Sequence, residues 1–207
     1  LRQNILDDIR DISASVSHAL FYKYVKQQNP DVKKVMCIGN SITHYGYPEY
    51  LSVVMFQELE TTTEYVEVVN YAQSAHAAMR NSDYPYRNHY KYKDSLVEPD
   101  VDVCVIMLGT NDGKWFQWNE EAYRKDYYDL IQEYMLRSHA VIVLVPPPSF
   151  NGNVVPDANI TMMKEILVEL ETEEKIPHLL NIQDIFYNNR FLMQNDGIHP
   201  TEAGDQA

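Results

Sequence analysis

Apolar and polar positions follow two patterns along this chain, one typical of buried strands and one of amphipathic helices. Continuous apolar runs of strand length end at glycine or proline, which is typical of strands covered on both faces. Between these runs, apolar residues recur every three or four positions, the period of an α-helix. The pattern predicts strands over 33–38, 66–71, 101–108, 141–145 and 178–182, and helices over 1–28, 48–60, 120–137, 160–174 and from 201 onward.

The order of these elements predicts the fold class. Strands that alternate with helices form right-handed βαβ units around a parallel sheet. We therefore expect an α/β fold, a three-layer α/β/α sandwich with a central five-stranded parallel sheet, as one domain over 31–207. The helix within 1–30 has three open interpretations: it docks on this domain, links it to an upstream domain, or mediates self-association.

Charge and length narrow the classes of partner. The 207 residues carry 17 Lys and Arg against 30 Asp and Glu, a formal net charge of -13, which repels phosphate backbones and anionic lipid. We therefore expect neither nucleic acid nor a membrane surface as a partner. No apolar run approaches the roughly 18 residues that span a bilayer. The chain begins at Leu1 and stops at Ala207 inside a predicted helix, so we expect a fragment, and the compartment and oligomeric state stay open.

Two cysteines, Cys37 and Cys104, lie inside apolar runs. We expect buried free thiols rather than a disulfide. No His and Cys spacing in the sequence is typical of zinc, so we expect no metal.

Two polar residues directly follow predicted strands, at the edge where parallel sheets bind ligands. Ser41 comes after the first strand, beside Gly39, where its hydroxyl can serve as a nucleophile. Asn111 comes after the third strand, and its neutral amide can donate a hydrogen bond to a carbonyl oxygen without titrating. Each residue alone also fits ordinary turn or capping chemistry, so both interpretations are open.

Near the C-terminus, Asp196 precedes His199 by three residues. A carboxylate at this spacing can accept a hydrogen bond from one imidazole nitrogen and fix the tautomer, which leaves the other nitrogen to take a proton from a hydroxyl. The same residues fit a capped turn before a helix that begins near Pro200. Both interpretations can hold together.

Four segments in this order resemble the SGNH/GDSL hydrolase family of esterases and acylhydrolases: 37–43, 69–75, 107–112 and 196–200. The resemblance covers about 33–207 and implies the flavodoxin-like SGNH hydrolase fold, an acyl-serine intermediate and no cofactor. It implies that Ser41 is the nucleophile, His199 the general base and Asp196 the residue that orients His199. The implied oxyanion hole consists of the backbone N–H groups of Ser41 and Ala75 and the side-chain amide of Asn111.

The sequence departs from the family pattern at two positions. Asn40 stands where the family usually has aspartate, and we expect its acceptor oxygen to brace the loop without the charge. Ala75 stands where the family has glycine. If the backbone there has a positive φ, we expect strain of roughly 1 kcal/mol.

Within the family, segments 105–112, 119–127 and 145–150 resemble bacterial sialate O-acetylesterase-like carbohydrate esterases. This likeness implies removal of a small acyl group, most simply acetyl, from a sugar hydroxyl. The alternatives are a lipid or thioester acylhydrolase and a catalytically impaired carbohydrate-binding relative.

Several aromatic and histidine residues near the motifs are candidates for substrate contacts. The aromatic residues after Asn111 form either a pocket wall or anchors of the loop, and two histidines are expected to line the crevice. A tyrosine-rich segment over 80–92 is either a lid or sugar platform or a packed surface loop. The candidates are Trp115, Phe116, Trp118, His44, His76, Tyr84, Tyr86, Tyr90, Tyr92, Arg87 and His89.

Overall fold

The computed structural model describes residues 33–58, 66–138 and 140–207. Its sheet has five strands, all parallel, in the spatial order β2-β1-β3-β4-β5. The predicted three-layer α/β/α class is confirmed, whereas the predicted helix over 1–28 lies outside the described residues. The strands are β1 Lys33–Gly39, β2 Val66–Asn70, β3 Val103–Met107, β4 Ala140–Val145 and β5 Leu179–Asn181.

Helices cover both faces of this sheet. The long predicted helices are present with shifted ends, and short ones appear where the sequence has no periodic apolar stripe. Short 3₁₀ turns lie at Tyr86–Asn88 and Arg190–Leu192. The α-helices are α1 Ser41–His44, α2 Tyr47–Glu58, α3 Tyr90–Ser95, α4 Glu120–Met135, α5 Asp157–Thr172, α6 Gln183–Asn188 and α7 Glu202–Asp205.

The strands are buried from both sides. On one face, β3 residues such as Ile106 pack with Leu130 of α4 and Leu167 of α5. On the other, Cys37 and Val105 pack beneath α2. This double coverage explains the uninterrupted apolar runs of β1 and β3.

Both cysteines are free and buried, as predicted. They belong to separate core clusters, Cys37 to one and Cys104 to the other. Burial raises the pKa of the Cys37 thiol to about 12, so it stays protonated at neutral pH and acts as an apolar core residue.

The turn from β1 into α1 depends on a glycine. A Cβ atom at Gly39 would lie 2.1 Å from Oγ1 of Thr43, so no other residue fits there without moving α1. Because α1 starts immediately after this turn, Ser41 is held at the carboxyl edge of the sheet.

In the described ranges, no helix is both long and apolar enough to cross a bilayer.

Candidate active site

A chain of hydrogen bonds joins Ser41, His199 and Asp196 at the carboxyl edge of the sheet. The Oγ of Ser41 lies 2.8 Å from Nε2 of His199, and Nδ1 of His199 lies 2.6 Å from Oδ2 of Asp196. Because a carboxylate can only accept, Nδ1 carries the proton and Nε2 is free to accept from the serine hydroxyl. The structure thus brings together the three residues that the family resemblance names.

The loop of Asp196 and His199 is shaped around the carboxylate. Oδ1 of Asp196 accepts from the backbone N–H groups of Ile198 at 2.9 Å and His199 at 3.0 Å. Burial raises the pKa of Asp196, but the hydrogen bonds from the His199 side chain and from both backbone groups outweigh it, so the pKa lies below its usual range. The carboxylate is therefore ionised at neutral pH and holds the imidazole in one tautomer.

Gly197 lets this loop approach its neighbour. It has a φ of +68°, and a Cβ there would lie 2.9 Å from the carbonyl carbon of Phe150. The N–H of Phe150 donates to the Gly197 carbonyl at 2.7 Å, and Asn151 Nδ2 donates to the Asp196 carbonyl at 3.0 Å. The segment after β4 thereby holds the loop that carries Asp196 in place.

Asn40 performs the bracing expected of it. Its side chain is buried, and its Oδ1 accepts from the N–H of Ile42 at 3.0 Å, which caps α1. This confirms that the amide oxygen alone can hold the turn that presents Ser41.

Ala75 and Asn111 lie on neighbouring segments beside the triad. Nδ2 of Asn111 donates to the carbonyl of His76 at 3.1 Å, which fixes the amide and leaves its second hydrogen for another acceptor. No acceptor among the described residues takes the N–H of Ala75. Each residue therefore keeps one donor hydrogen that no described acceptor takes.

Ala75 has a φ of +66°, in the left-handed region that favours glycine. This is the condition under which the sequence predicts strain of roughly 1 kcal/mol. Sequence reasoning could identify the missing glycine but not the backbone angle.

The sequence leaves the aromatic residues after Asn111 as either a pocket wall or anchors of the loop; in the structure one of them is packed and two are exposed. Trp118 packs against the core and lies 5.3 Å, between ring centroids, from Tyr123, as an anchor would. Trp115 and Phe116 are 67% and 56% exposed, respectively, so they are not buried anchors. Their rings form an exposed edge-to-face pair at a centroid distance of 5.6 Å.

The tyrosine-rich segment is largely packed rather than a free lid. Tyr86 is fully buried and donates to the Tyr71 carbonyl at 2.7 Å, and Tyr92 donates to Glu133 of α4. Tyr84 and Tyr90 are exposed. Their rings nevertheless contact histidines: Tyr90 lies 4.4 Å from His89 and Tyr84 lies 6.0 Å from His76, between ring centroids.

The predicted crevice histidines are partly buried and hydrogen-bonded to nearby carbonyls. Nδ1 of His44 lies 2.8 Å from the Ala72 carbonyl, and Nδ1 of His76 lies 2.7 Å from the Ser74 carbonyl. His89, 4.8 Å from His76 between ring centroids, has a pKa lowered to about 4 by burial and by neighbouring His76 and Lys91.

In the part of the chain that the structure describes, no group of three or more His, Cys, Asp or Glu side chains could hold a metal ion.

Two supporting residues escaped the sequence reasoning. Asp112 is fully buried and accepts from backbone N–H groups of the segment that carries Ala75. Gln117 donates to the Asn111 carbonyl at 2.5 Å and accepts from the N–H of Asp83 at 3.0 Å. The only available signal was the position of Asp112 beside Asn111.

These features define a class of proteins: three-layer α/β domains with a hydrogen-bonded serine, histidine and aspartate at the carboxyl edge of a parallel sheet. The chain belongs to the GDSL-like Lipase/Acylhydrolase family, which matches residues 37–207. This confirms the predicted family.

Three similar proteins illustrate the relationship. The acetylxylan esterase of Xylanibacter ruminicola is 27% identical over 88% of this chain, and the match spans 42% of that protein, about two fifths of its length. An aryl esterase from M. smegmatis has 19% identity and a TM-score of 0.65 over 84% of this chain and 93% of its own. An acetylxylan esterase from Geobacillus stearothermophilus has 20% identity and a TM-score of 0.63 over 84% and 89%, respectively. The two solved structures share the fold.

The strained alanine leads to a stability prediction. We expect Ala75→Gly to raise the free energy of unfolding by about 0.5–1 kcal/mol, because glycine adopts the positive φ without strain and the exposed methyl group contributes little packing. Denaturant unfolding measures the change. Ala158→Gly, at an exposed position in the first turn of α5, is the control and should lose up to about 0.5 kcal/mol, less than the cost of a glycine in a helix interior. Equal losses in both variants would contradict the assignment of strain to Ala75.

Proposed function

We propose that this chain is a serine esterase that removes acetyl groups from a carbohydrate through an acyl-serine intermediate. The observation that carries the proposal is the hydrogen-bonded chain from Asp196 through His199 to Ser41. Ala75 and Asn111 beside it supply donors for a developing negative charge. The substrate is a glycan or a smaller ester, and no cofactor is required.

In this mechanism, Oγ of Ser41 attacks the ester carbonyl carbon while Nε2 of His199 takes the hydroxyl proton. The carbonyl π electrons move to the oxygen, and the N–H groups of Ser41 and Ala75 and the amide of Asn111 donate to that oxyanion. The C–O bond to the sugar then breaks, and His199 returns the proton to the departing sugar oxygen. Water attacks the acetyl-Ser41 with His199 again as base, which releases acetate and restores the serine.

The surface around the triad supports a sugar ester more than a long acyl chain. A cavity of about 660 Å³ borders Asp196 on the side away from the reacting groups, since neither Ser41 nor His199 lines it; its lining is mainly polar, with Arg190, Gln194 and Asn195. Trp115 and Phe116, which come four and five residues after Asn111 in the chain, have exposed side chains. Polar groups and open ring faces suit a sugar, which has hydroxyl groups and an apolar face.

The test compares acyl groups and leaving groups. We expect acetate release from acetylated xylan fragments, the substrate suggested by the names of the relatives, and we expect p-nitrophenyl acetate to be cleaved faster than p-nitrophenyl octanoate. Trp115→Ala should raise KM for the glycan about 3–10-fold, the loss of one aromatic contact, and leave KM for p-nitrophenyl acetate unchanged.

The second candidate is a lipid or thioester acylhydrolase, which the exposed apolar pair Trp115 and Phe116 could also serve. Preference for octanoate over acetate would favour that candidate and contradict the proposal. Glycan binding without acetate release, together with a Ser41 inert toward an active-site phosphonate, would instead indicate a binding protein.

A further inference from the structure

Three consecutive backbone N–H groups after Ala75 are bound by two carboxylates from elsewhere in the chain. Asp112 accepts from Ala78 at 3.0 Å through Oδ2 and from Met79 at 2.7 Å through Oδ1. Asp126 of α4 accepts from Arg80 at 2.8 Å. The segment that carries Ala75 is therefore attached both to the loop after β3 and to α4.

Burying the Asp112 carboxylate lowers the stability of the fold. Its side chain is fully buried, and no Lys or Arg in the described ranges forms an ion pair with it. Burial raises its pKa to about 7, although backbone hydrogen bonds partly counter that effect. A buried carboxylate balanced only by backbone dipoles costs stability, so its presence calls for an explanation beyond packing.

The bonds of Asp112 and those of Asn111 act on the same short segment. Asn111 donates to the carbonyl of His76, and the next residue accepts from Ala78 and Met79. Two adjacent residues of the loop after β3 thus hold the chain immediately after Ala75. A left-handed alanine such as Ala75 persists only where its surroundings hold it.

We propose that Asp112 is a positioning residue of the oxyanion hole, whose buried carboxylate holds the backbone at Ala78 and Met79 and thereby keeps the N–H of Ala75 aligned with the amide of Asn111. The inference rests on the proposed serine mechanism. It assigns Asp112 no contact with substrate: Asp112 acts through the placement of donors whose displacement by about 1 Å can cost 10²-fold in rate.

Asp112→Asn tests this directly. The amide has nearly the shape of the carboxylate, but its NH₂ group cannot accept, so one of the two backbone N–H groups then faces a donor. We expect kcat for p-nitrophenyl acetate to fall about 10–100-fold with little change in KM, because the hole acts on the transition state.

The matched control is Asp126→Asn, which removes a buried carboxylate from the same backbone run one residue further from Ala75. It should lose stability but keep kcat close to that of the wild type. In an Asn111→Ala background, Asp112→Asn should cost less than in the wild type, because both changes damage the same hole.

Each outcome is decisive at a temperature where unfolding curves show every variant folded. An unchanged kcat in Asp112→Asn, or equal kcat losses in Asp112→Asn and Asp126→Asn, overturns the inference and leaves the serine mechanism standing. Full activity in Ser41→Ala overturns the mechanism and the inference together. If Asp112→Asn does not fold, Asp112→Ser, which lacks the misplaced amide donor, takes its place with the same expected loss of kcat.

Discussion

Replacing Ser41 by alanine should lower kcat/KM for p-nitrophenyl acetate by at least about 10⁴-fold, the scale on which serine hydrolases lose activity with their nucleophile. The hydroxyl forms the bond to the acyl carbon, and no other group in the proposed mechanism can form it. Because His199 remains in Ser41→Ala, slow attack by water with His199 as base sets the residual rate. Initial rates of p-nitrophenol release, with the protein shown folded by circular dichroism, measure the loss.

The control is Ser74→Ala. Ser74 lies in the segment after β2, and its buried Oγ has no hydrogen-bond partner among the described residues. Its loss should leave the rate within about threefold of the wild type, the range of a substitution that disturbs no catalytic contact. A phosphonate ester should label the wild type and the control at Ser41 and should not label Ser41→Ala. Equal hydrolysis by wild type and Ser41→Ala would contradict the nucleophile assignment.

The sequence predicted the sheet more accurately than the helices around it. A short apolar run that ends at a glycine, such as that before Gly39, is typical of a strand buried on both faces, because side chains on both sides of such a strand contact a helix layer. The predicted strand over 101–108 is longer than the observed β3, since pairing with β1 extends only from Val103 to Met107. Short helices such as α1 and α6 escaped prediction because four to six residues are too few to show a helical period.

The site was predictable in its residue types but not in its supports. Ser41, Asn111 and His199 have side chains whose chemistry sequence reasoning can recognise, and strand order brings them to one edge. Asp112 binds backbone N–H groups, which every residue except proline has and which leave no mark in the sequence. The conformation of Ala75 is likewise a property of the assembled loops, because alanine alone does not favour a positive φ.

Asn111→Ala should lower kcat for p-nitrophenyl acetate about 10²–10³-fold, or roughly 2.7–4 kcal/mol of transition-state stabilisation. The hydrogen bond to the His76 carbonyl occupies one amide hydrogen and orients the other, so the donor is already in place when the carbonyl oxygen becomes negative. The neutral ester oxygen of the ground state gains much less from this donor. We therefore expect the loss in kcat, with KM nearly unchanged.

Gln117→Ala tests whether the effect of Asn111→Ala comes from the lost amide donor or from a displaced loop. Gln117 binds the backbone carbonyl of Asn111 but donates no hydrogen bond to the oxyanion, so its removal can act on the hole only through the position of the loop, and we expect a smaller loss of kcat than in Asn111→Ala. Asn111→Asp is the sharper test, because it keeps the shape, replaces the NH₂ donor with an acceptor and places negative charge beside the oxyanion. It should lose at least as much kcat as Asn111→Ala. If instead Asn111→Asp retains wild-type kcat, the amide does not stabilise the oxyanion, and the backbone N–H groups of Ser41 and Ala75 must do so alone.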